Sequence, residues 1–290
     1  MRIINLFKSG STKFITRSNA SIIKKIIRRL RDGPSSAILK FKIYYAKVKH
    51  LEQSLTAYQN ELYKSHDLDR KKGLLKLDSI CRIYLSSAYN EANGMFSEHL
   101  ILLSALSELD TKFENILEIG THNGESATIL GHLFPKSKIV TIDLPYGNVE
   151  FSTTYNRQDS TNDFITMRDI LLKRLDNVNF VPINSIALTT WKENQFDLIW
   201  IDGAHGYPTI AMDLVNAMRL IRKGGFILVD DVYTDLNRSD PTYESLGAFQ
   251  SLEAMKNSAL IDDYSLFCKR LGVSFNIPGV TKKYVGMIRV

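Results

Sequence analysis

Only two of the 290 residues are cysteine, Cys81 and Cys268, and they stand far apart in no metal-ligand spacing. That leaves no cysteine-held zinc site, and it fits two plain thiols in a reducing compartment. No run reaches the roughly 18–20 consecutive apolar residues of a membrane span. The N-terminus has no continuous apolar stretch of the kind that makes a secretory signal. Acidic residues are missing altogether from positions 1–31, which carry nine Lys/Arg. The whole chain has a net charge of +6, yet residues 1–95 hold 19 Lys/Arg against 7 Asp/Glu. This asymmetry describes a basic helical extension, 1–93, on a mildly acidic domain, 94–290. A hydrophobic content of 44% places the chain among globular proteins.

Within the acid-free segment, Ile22, Ile23, Ile26, Ile27 and Leu30 share one helical face, and Lys24, Lys25, Arg28, Arg29 and Arg31 cover the rest. A basic amphipathic helix of this kind suits an anionic membrane surface through residues 20–31, a docking site on a protein, or a mitochondrial presequence. Further on, Tyr44, Val48, Leu51, Leu55, Tyr58 and Leu62 recur at alternating spacings of four and three. Such a seam over 44–62 serves either a homodimeric coiled coil or packing against the chain's own domain. Residues 64–76 read as a polar loop, with helical patterning from Leu77. Ser97 is expected to cap a helix running to about Leu109.

The centre of the second domain is Asn115 to Asp143, which reads strand, glycine turn, helix, strand. Gly120 and Gly124 let backbone approach a ligand closely. The helix behind them presents free N–H groups, and Asp143 closes the second strand, where a carboxylate can accept from a ribose diol. What is missing again narrows the reading. The middle glycine of a dinucleotide fingerprint is replaced by His122, and Glu118 stands on the strand itself. A carboxylate there suits a cationic ligand better than a diphosphate. The absence of a Tyr-x-x-x-Lys pair also argues against a nicotinamide oxidoreductase. The order of apolar runs after Asp143 predicts strands at 178–182, 196–201 and 226–229 and two closing strands at 264–270 and 283–290. Helices are expected near 163–175, 211–221 and 243–258. The polar stretch 145–162 is too long for an ordinary connection. It reads as a substrate loop, with Tyr155 and Arg157 as candidate contacts.

Three acids fall at strand ends on the ligand side: Asp202 after the fourth strand, and Asp230 and Asp231 after the fifth. Three carboxylates in one cleft repel one another unless a cation holds them. A hard divalent ion such as Mg²⁺ fits an all-oxygen set, and it would lower the pKa of a coordinated hydroxyl.

Glu118-x-Gly120-x-x-x-Gly124 resembles the first motif of class I S-adenosylmethionine (SAM) methyltransferases. Ile201-Asp-Gly-x-His205-x-Tyr207 and Gly224-Gly-Phe-Ile-Leu-Val-Asp230-Asp231 resemble the metal-dependent small-molecule O-methyltransferases. The likeness is greatest to the bacterial group that includes macrocin-type sugar and macrolide O-methyltransferases and cephalosporin-hydroxylase-like proteins. It covers roughly 95–290. The resemblance implies an α/β fold: a Rossmann-like, doubly wound, seven-stranded sheet with a C-terminal antiparallel strand pair, preceded by the helical N-terminal extension. It implies SAM contacts at Glu118, Gly120, Thr121, Gly124, Ser126, Asp143, Asn184, Ser185 and Asp202, and metal ligands at Asp202, Asp230 and Asp231. Its catechol-type relatives place a lysine base three residues after the first Asp. This chain has His205 there, and imidazole is a competent base near neutral pH. Asp202 and His205 are therefore the candidate catalytic pair, with holding Asp202 in its orientation as the other role open to His205.

The expected function is methyl transfer from SAM to a hydroxyl of a small molecule or sugar, in a cytoplasmic protein open to peripheral membrane contact. The competing reading is a non-catalytic scaffold of the same fold, attached through its basic arm. Nucleic acid is not an expected partner. The arm has no base-reading pattern, and Asp202-Gly-Ala-His205 stands where a base methyltransferase would carry an Asn/Asp-Pro-Pro-Tyr loop. The loops 145–162 and 232–243, with Tyr155, Tyr233, Arg238 and Tyr243, hold the acceptor determinants.

Overall fold

Seven strands emerge in the computed structural model: β1 (Asn115–Ile119), β2 (Lys138–Asp143), β3 (Val178–Pro182), β4 (Phe196–Ile201), β5 (Ile221–Tyr233), β6 (Ser265–Cys268) and β7 (Lys283–Arg289). They form one sheet in the order β3-β2-β1-β4-β5-β7-β6. The first five run parallel, and β7 pairs antiparallel with both β5 and β6. The structure describes residues 53–90, 97–147, 149, 161–236, 245–269 and 283–290. The basic arm, the first half of the 44–62 seam (Tyr44, Val48 and Leu51), Tyr155, Arg157, Arg238 and Tyr243 lie outside these residues.

The strands are apolar without alternation because both faces of the sheet are covered. Successive residues feed opposite cores. Ile116, Leu198, Trp200, Phe226 and Leu228 point to one, and Leu117, Ile199, Ile201, Ile227 and Val229 to the other. The second core is closed by α6 (Thr209–Leu220) and α7 (Gly247–Asn257). The first is closed by α2 (Arg70–Tyr84), α3 (Glu98–Leu106) and α4 (Glu125–Leu133), with Tyr63 of helix α1 (53–65). A further helix, α5 (Thr161–Leu172), precedes β3. Every residue of α3 is buried, as expected for a helix that is apolar all round. Residues 53–90 thus share a core with the sheet. No helix among the described residues is long and apolar enough to cross a membrane.

Several elements depart from their expected limits. Helix α2 begins at Arg70, inside the supposed loop, because the Asp69 side chain accepts from Lys72 N and caps it. Ser97 makes no capping bond; its hydroxyl meets His99 Nδ1 at 2.6 Å. Strand β5 runs from Ile221 to Tyr233, since β7 gives its far half a partner. In α1, Gln59 and Tyr63 face inward, while the seam residue Tyr58 is 62% exposed.

The N-terminal helices are tied to α3 through one buried carboxylate. Glu98 accepts from Arg70 Nε and NH2, each at 2.7 Å, and from Tyr63 OH at 2.8 Å. Removing one partner of a buried pair leaves the other charge uncompensated, which costs about 3–5 kcal/mol. Arg70→Met is therefore expected to lose stability on that scale in chemical denaturation, whereas Arg82→Met, at an exposed pair with Asp78, changes it by less than about 1 kcal/mol.

Candidate active site

The glycine turn between β1 and α4 abuts the end of β4. Gly120 has φ +106°, and a Cβ there would lie 2.1 Å from the Asp202 carbonyl oxygen. Only glycine accommodates both the left-handed backbone and the contact. Gly124, at φ +83°, is the N-cap of α4. The turn is also bound to β2: Gly120 N and Thr121 N both donate to Ile142 O, and His122 N donates to Asp143 Oδ2 at 2.9 Å. Asp143 Oδ1 accepts from Leu144 N at 2.8 Å. Gly120, Gly124, Asp143 and Asp202 therefore frame one cleft at the carboxyl ends of the strands. A glycine turn at the carboxyl end of β1, beside a carboxylate at the end of β2, is where a parallel sheet of this kind receives a nucleoside-bearing ligand such as SAM.

Glu118, Thr121 and Ser126 lie beneath that cleft. Glu118 is fully buried, accepting from Ser126 Oγ at 2.6 Å and Thr141 Oγ1 at 2.5 Å. Thr121 Oγ1 meets Thr141 Oγ1 at 2.6 Å. These side chains hold the turn from inside. Asn184 caps the short 3₁₀ turn Ser185–Thr190, accepting from Ile186 N, and Ser185 adjoins the buried Asp213. Burial pushes the Glu118 carboxyl up to about 7, against the pull of its two hydroxyl donors.

The three strand-end acids do converge. His205 Nε2 lies 3.6 Å from Asp202 Oδ1 and 3.9 Å from Asp231 Oδ2. Asp230 and Asp231 sit where the β5–β7 register shifts, between Val229 and Val232, and Asp231 has φ +53°. That bulge lets two successive carboxylates reach the same cation. The cation is Lys269, at the end of β6. Its Nζ contacts both Asp230 Oδ2 and Asp231 Oδ1, and Lys283 Nζ takes Asp231 Oδ2 at 2.6 Å.

These lysines change the electrostatics of the cluster. Burial raises Asp202, helped by the charge on Asp230. For Asp231 burial is outweighed by Lys269, His205 and Lys283, which hold it well below the usual carboxylate range. Burial lowers His205 and favours neutral imidazole. His99, stacked on Trp200 with ring centroids 5.1 Å apart, is driven down to about 4 by burial.

The structure gives no support to the expected Mg²⁺ on Asp202, Asp230 and Asp231. Among the described residues no group of three or more His, Cys, Asp or Glu is disposed to hold a metal ion. A buried ammonium already bridges the two β5 acids. Neither Lys269 nor Lys283 was among the candidates, and both lie in the closing strand pair, far from any motif. Of the acceptor-loop candidates, Tyr233 is buried, and Lys283 Nζ lies 5.5 Å from its ring centroid. Tyr207 is 78% exposed beside the cleft.

Glu118 yields a test of pH dependence. Its folded pKa lies above the ordinary 4.5, so folding favours the protonated form. The stability this contributes is complete below about pH 4.5 and is lost as pH rises to about 7, a change of order 3 kcal/mol. Glu118→Gln should flatten the slope of unfolding free energy between those pH values, measured by urea titration. An unchanged slope would assign it to other groups.

Comparison with known proteins is consistent with this geometry. Residues 117–232 match a family model described as a methyltransferase domain. No curated protein matches the sequence. Among solved structures, the O-methyltransferase TomG from Streptomyces achromogenes, in complex with SAM, is 19% identical with a TM-score of 0.47, over 80% of this chain and 95% of that one. Cofactor-bound Rv0187 from MTB is 18% identical with a TM-score of 0.47, over 81% and 89%. The Podospora anserina methyltransferase PaMTH1, bound to SAH, is 21% identical with a TM-score of 0.44, over 74% and 87%. These likenesses are distant, and the assignment rests on the matched segment and on strand order. Residues 117–232 thus match a methyltransferase-domain model, and the chain has the strand order of a doubly wound, Rossmann-like sheet with an antiparallel closing pair.

Proposed function

We propose that the chain transfers a methyl group from SAM to a hydroxyl of a small, polar acceptor of the sugar class. The observation that carries this reading is the contact of Gly120 with Asp202. It sets the cofactor turn directly against a strand end bearing Asp202, His205 and the Asp230–Asp231 pair. When bound, SAM supplies an electrophilic methyl on a sulfonium. Gly120, Gly124 and Asp143 would hold its nucleoside, with Asp202 beside the cationic sulfur.

His205 is the base. Burial keeps its imidazole neutral, and its Nε2 faces Asp202 and Asp231 at 3.6 and 3.9 Å, carboxylates that stabilise the imidazolium formed when it takes a proton. This imidazole would take the proton of the acceptor hydroxyl as that oxygen accepts the methyl group, the displaced sulfur keeping the bonding electron pair. Orientation and one proton acceptor suffice for such a displacement. The polar groups of the cleft suit a hydroxyl-rich acceptor.

Calorimetric titration with SAM is the first test: saturable binding is expected, and no binding would sink the proposal. His205→Gln should then lower kcat by roughly 10²–10⁴-fold in a labelled-methyl assay over a panel of sugars and phenols, with SAM affinity unchanged. Wild-type turnover in that variant would remove His205 as the base.

A further inference from the structure

We propose that Lys269 is a built-in cation that replaces a divalent metal in the acceptor cleft, and that helix α1 positions it through Gln59. The inference rests on reading the carboxylate cleft as the acceptor half of the site.

The charges and atoms of the cluster support the first half. Lys269 Nζ engages Asp230 Oδ2 and Asp231 Oδ1, and Lys283 engages Asp231 Oδ2. Three of the four oxygens of the β5 pair are thereby taken, and the fourth, Asp230 Oδ1, is buried. A six-coordinate ion needs several of those oxygens together with its own waters, so it would have to expel Lys269. The balance points the same way. Lys269 and Lys283 match the charges of Asp230 and Asp231, and burial favours the neutral form of Asp202. A dication added to them would make the cleft positive, beside a cationic sulfonium.

The second half comes from the backbone on either side of Lys269. Gln59 is fully buried and pairs with Cys268 at both ends: Nε2 donates to Cys268 O at 3.2 Å, and Oε1 accepts from Cys268 N at 3.0 Å. The next residue is Lys269. Its carbonyl accepts from Glu98 N at 2.9 Å, and its N–H donates to Lys283 O at 2.9 Å. Tyr63, one turn after Gln59, packs edge-on against Phe267 with centroids 5.0 Å apart and donates to Glu98. The end of β6 is thus held by side chains of the N-terminal segment, about two hundred residues earlier in the chain. A mid-helix glutamine that mimics a strand partner has no need to be there unless the strand end must be kept in place.

The test is metal binding by the full chain, read without acceptor or turnover. Mn²⁺ titration followed by electron paramagnetic resonance, and thermal melting with and without MgCl₂, should show no saturable site and no metal-dependent shift in the wild type. Lys269→Met frees the carboxylates. It should bind Mn²⁺ at least about tenfold more tightly than the wild type and melt higher in MgCl₂, since a ligand that binds only the folded state stabilises it. Gln59→Leu should gain a smaller part of that affinity. A stoichiometric Mn²⁺ site in the wild type, or no gain in Lys269→Met, would overturn the replacement. Gln59→Leu with a lowered melting temperature but wild-type metal behaviour would reduce Gln59 to a packing residue. These readouts do not involve methyl transfer, so failure of the SAM titration and failure of this inference are separately visible.

Discussion

The contact between Gly120 and the carbonyl of Asp202 is the constraint on which the site depends. Parallel strands bring the carboxyl ends of β1 and β4 side by side, but a side chain at position 120 would wedge them apart. With none there, the β1 turn closes onto the β4 end and the turn amides reach Ile142 and Asp143 on β2. The glycine turn and the acid cluster, built by residues some eighty positions apart, are brought side by side. The fully buried network of Glu118, Ser126, Thr121 and Thr141 fixes the turn from below. Its only function visible in the geometry is to hold backbone in place.

The other organising feature is how buried charge is balanced. Glu98 lies under α1 and α2 with Arg70 and Tyr63 as partners, and Asp230 and Asp231 lie at the end of β5 with Lys269 and Lys283. The two groups meet at one peptide, where Glu98 N donates to Lys269 O. The N-terminal helices and the acid cluster are therefore coupled through the backbone of β6, and what secures the extension also secures the lysine.

Much of this architecture was legible in the chain. The five parallel strands were readable because a sheet covered on both faces demands unbroken apolar runs. Gly120, Gly124 and Asp143 were readable because a tight turn and a strand-end carboxylate are chemically conspicuous. The convergence of Asp202, Asp230 and Asp231 followed from strand order. Glu118 was legible as a carboxylate near the turn but was assigned to the cleft. It lies mid-strand, and in a doubly covered sheet such a position points into a core; Ser126 and Thr141 were the signals that it would be satisfied there. The start of α2 was missed because Arg70, Lys71 and Lys72 look like loop, and the cap on Asp69 outweighs them.

The sequence suggested a divalent ion among the three carboxylates; the lysines that meet two of them in the structure were not visible there. Lys269 follows Asp230 by 39 residues and lies on a strand two places away from β5 in the sheet. Only the insertion of β7 antiparallel between β5 and β6, with a bulge at Asp230 and Asp231, brings that ammonium to both carboxylates. Local residue chemistry determined the fold class, the glycine turn and the acid positions, because those depend on periodicity and on strand ends. The tertiary structure alone decided which charge meets which, because ion pairing depends on distance in space, and the final strand pair sets that distance.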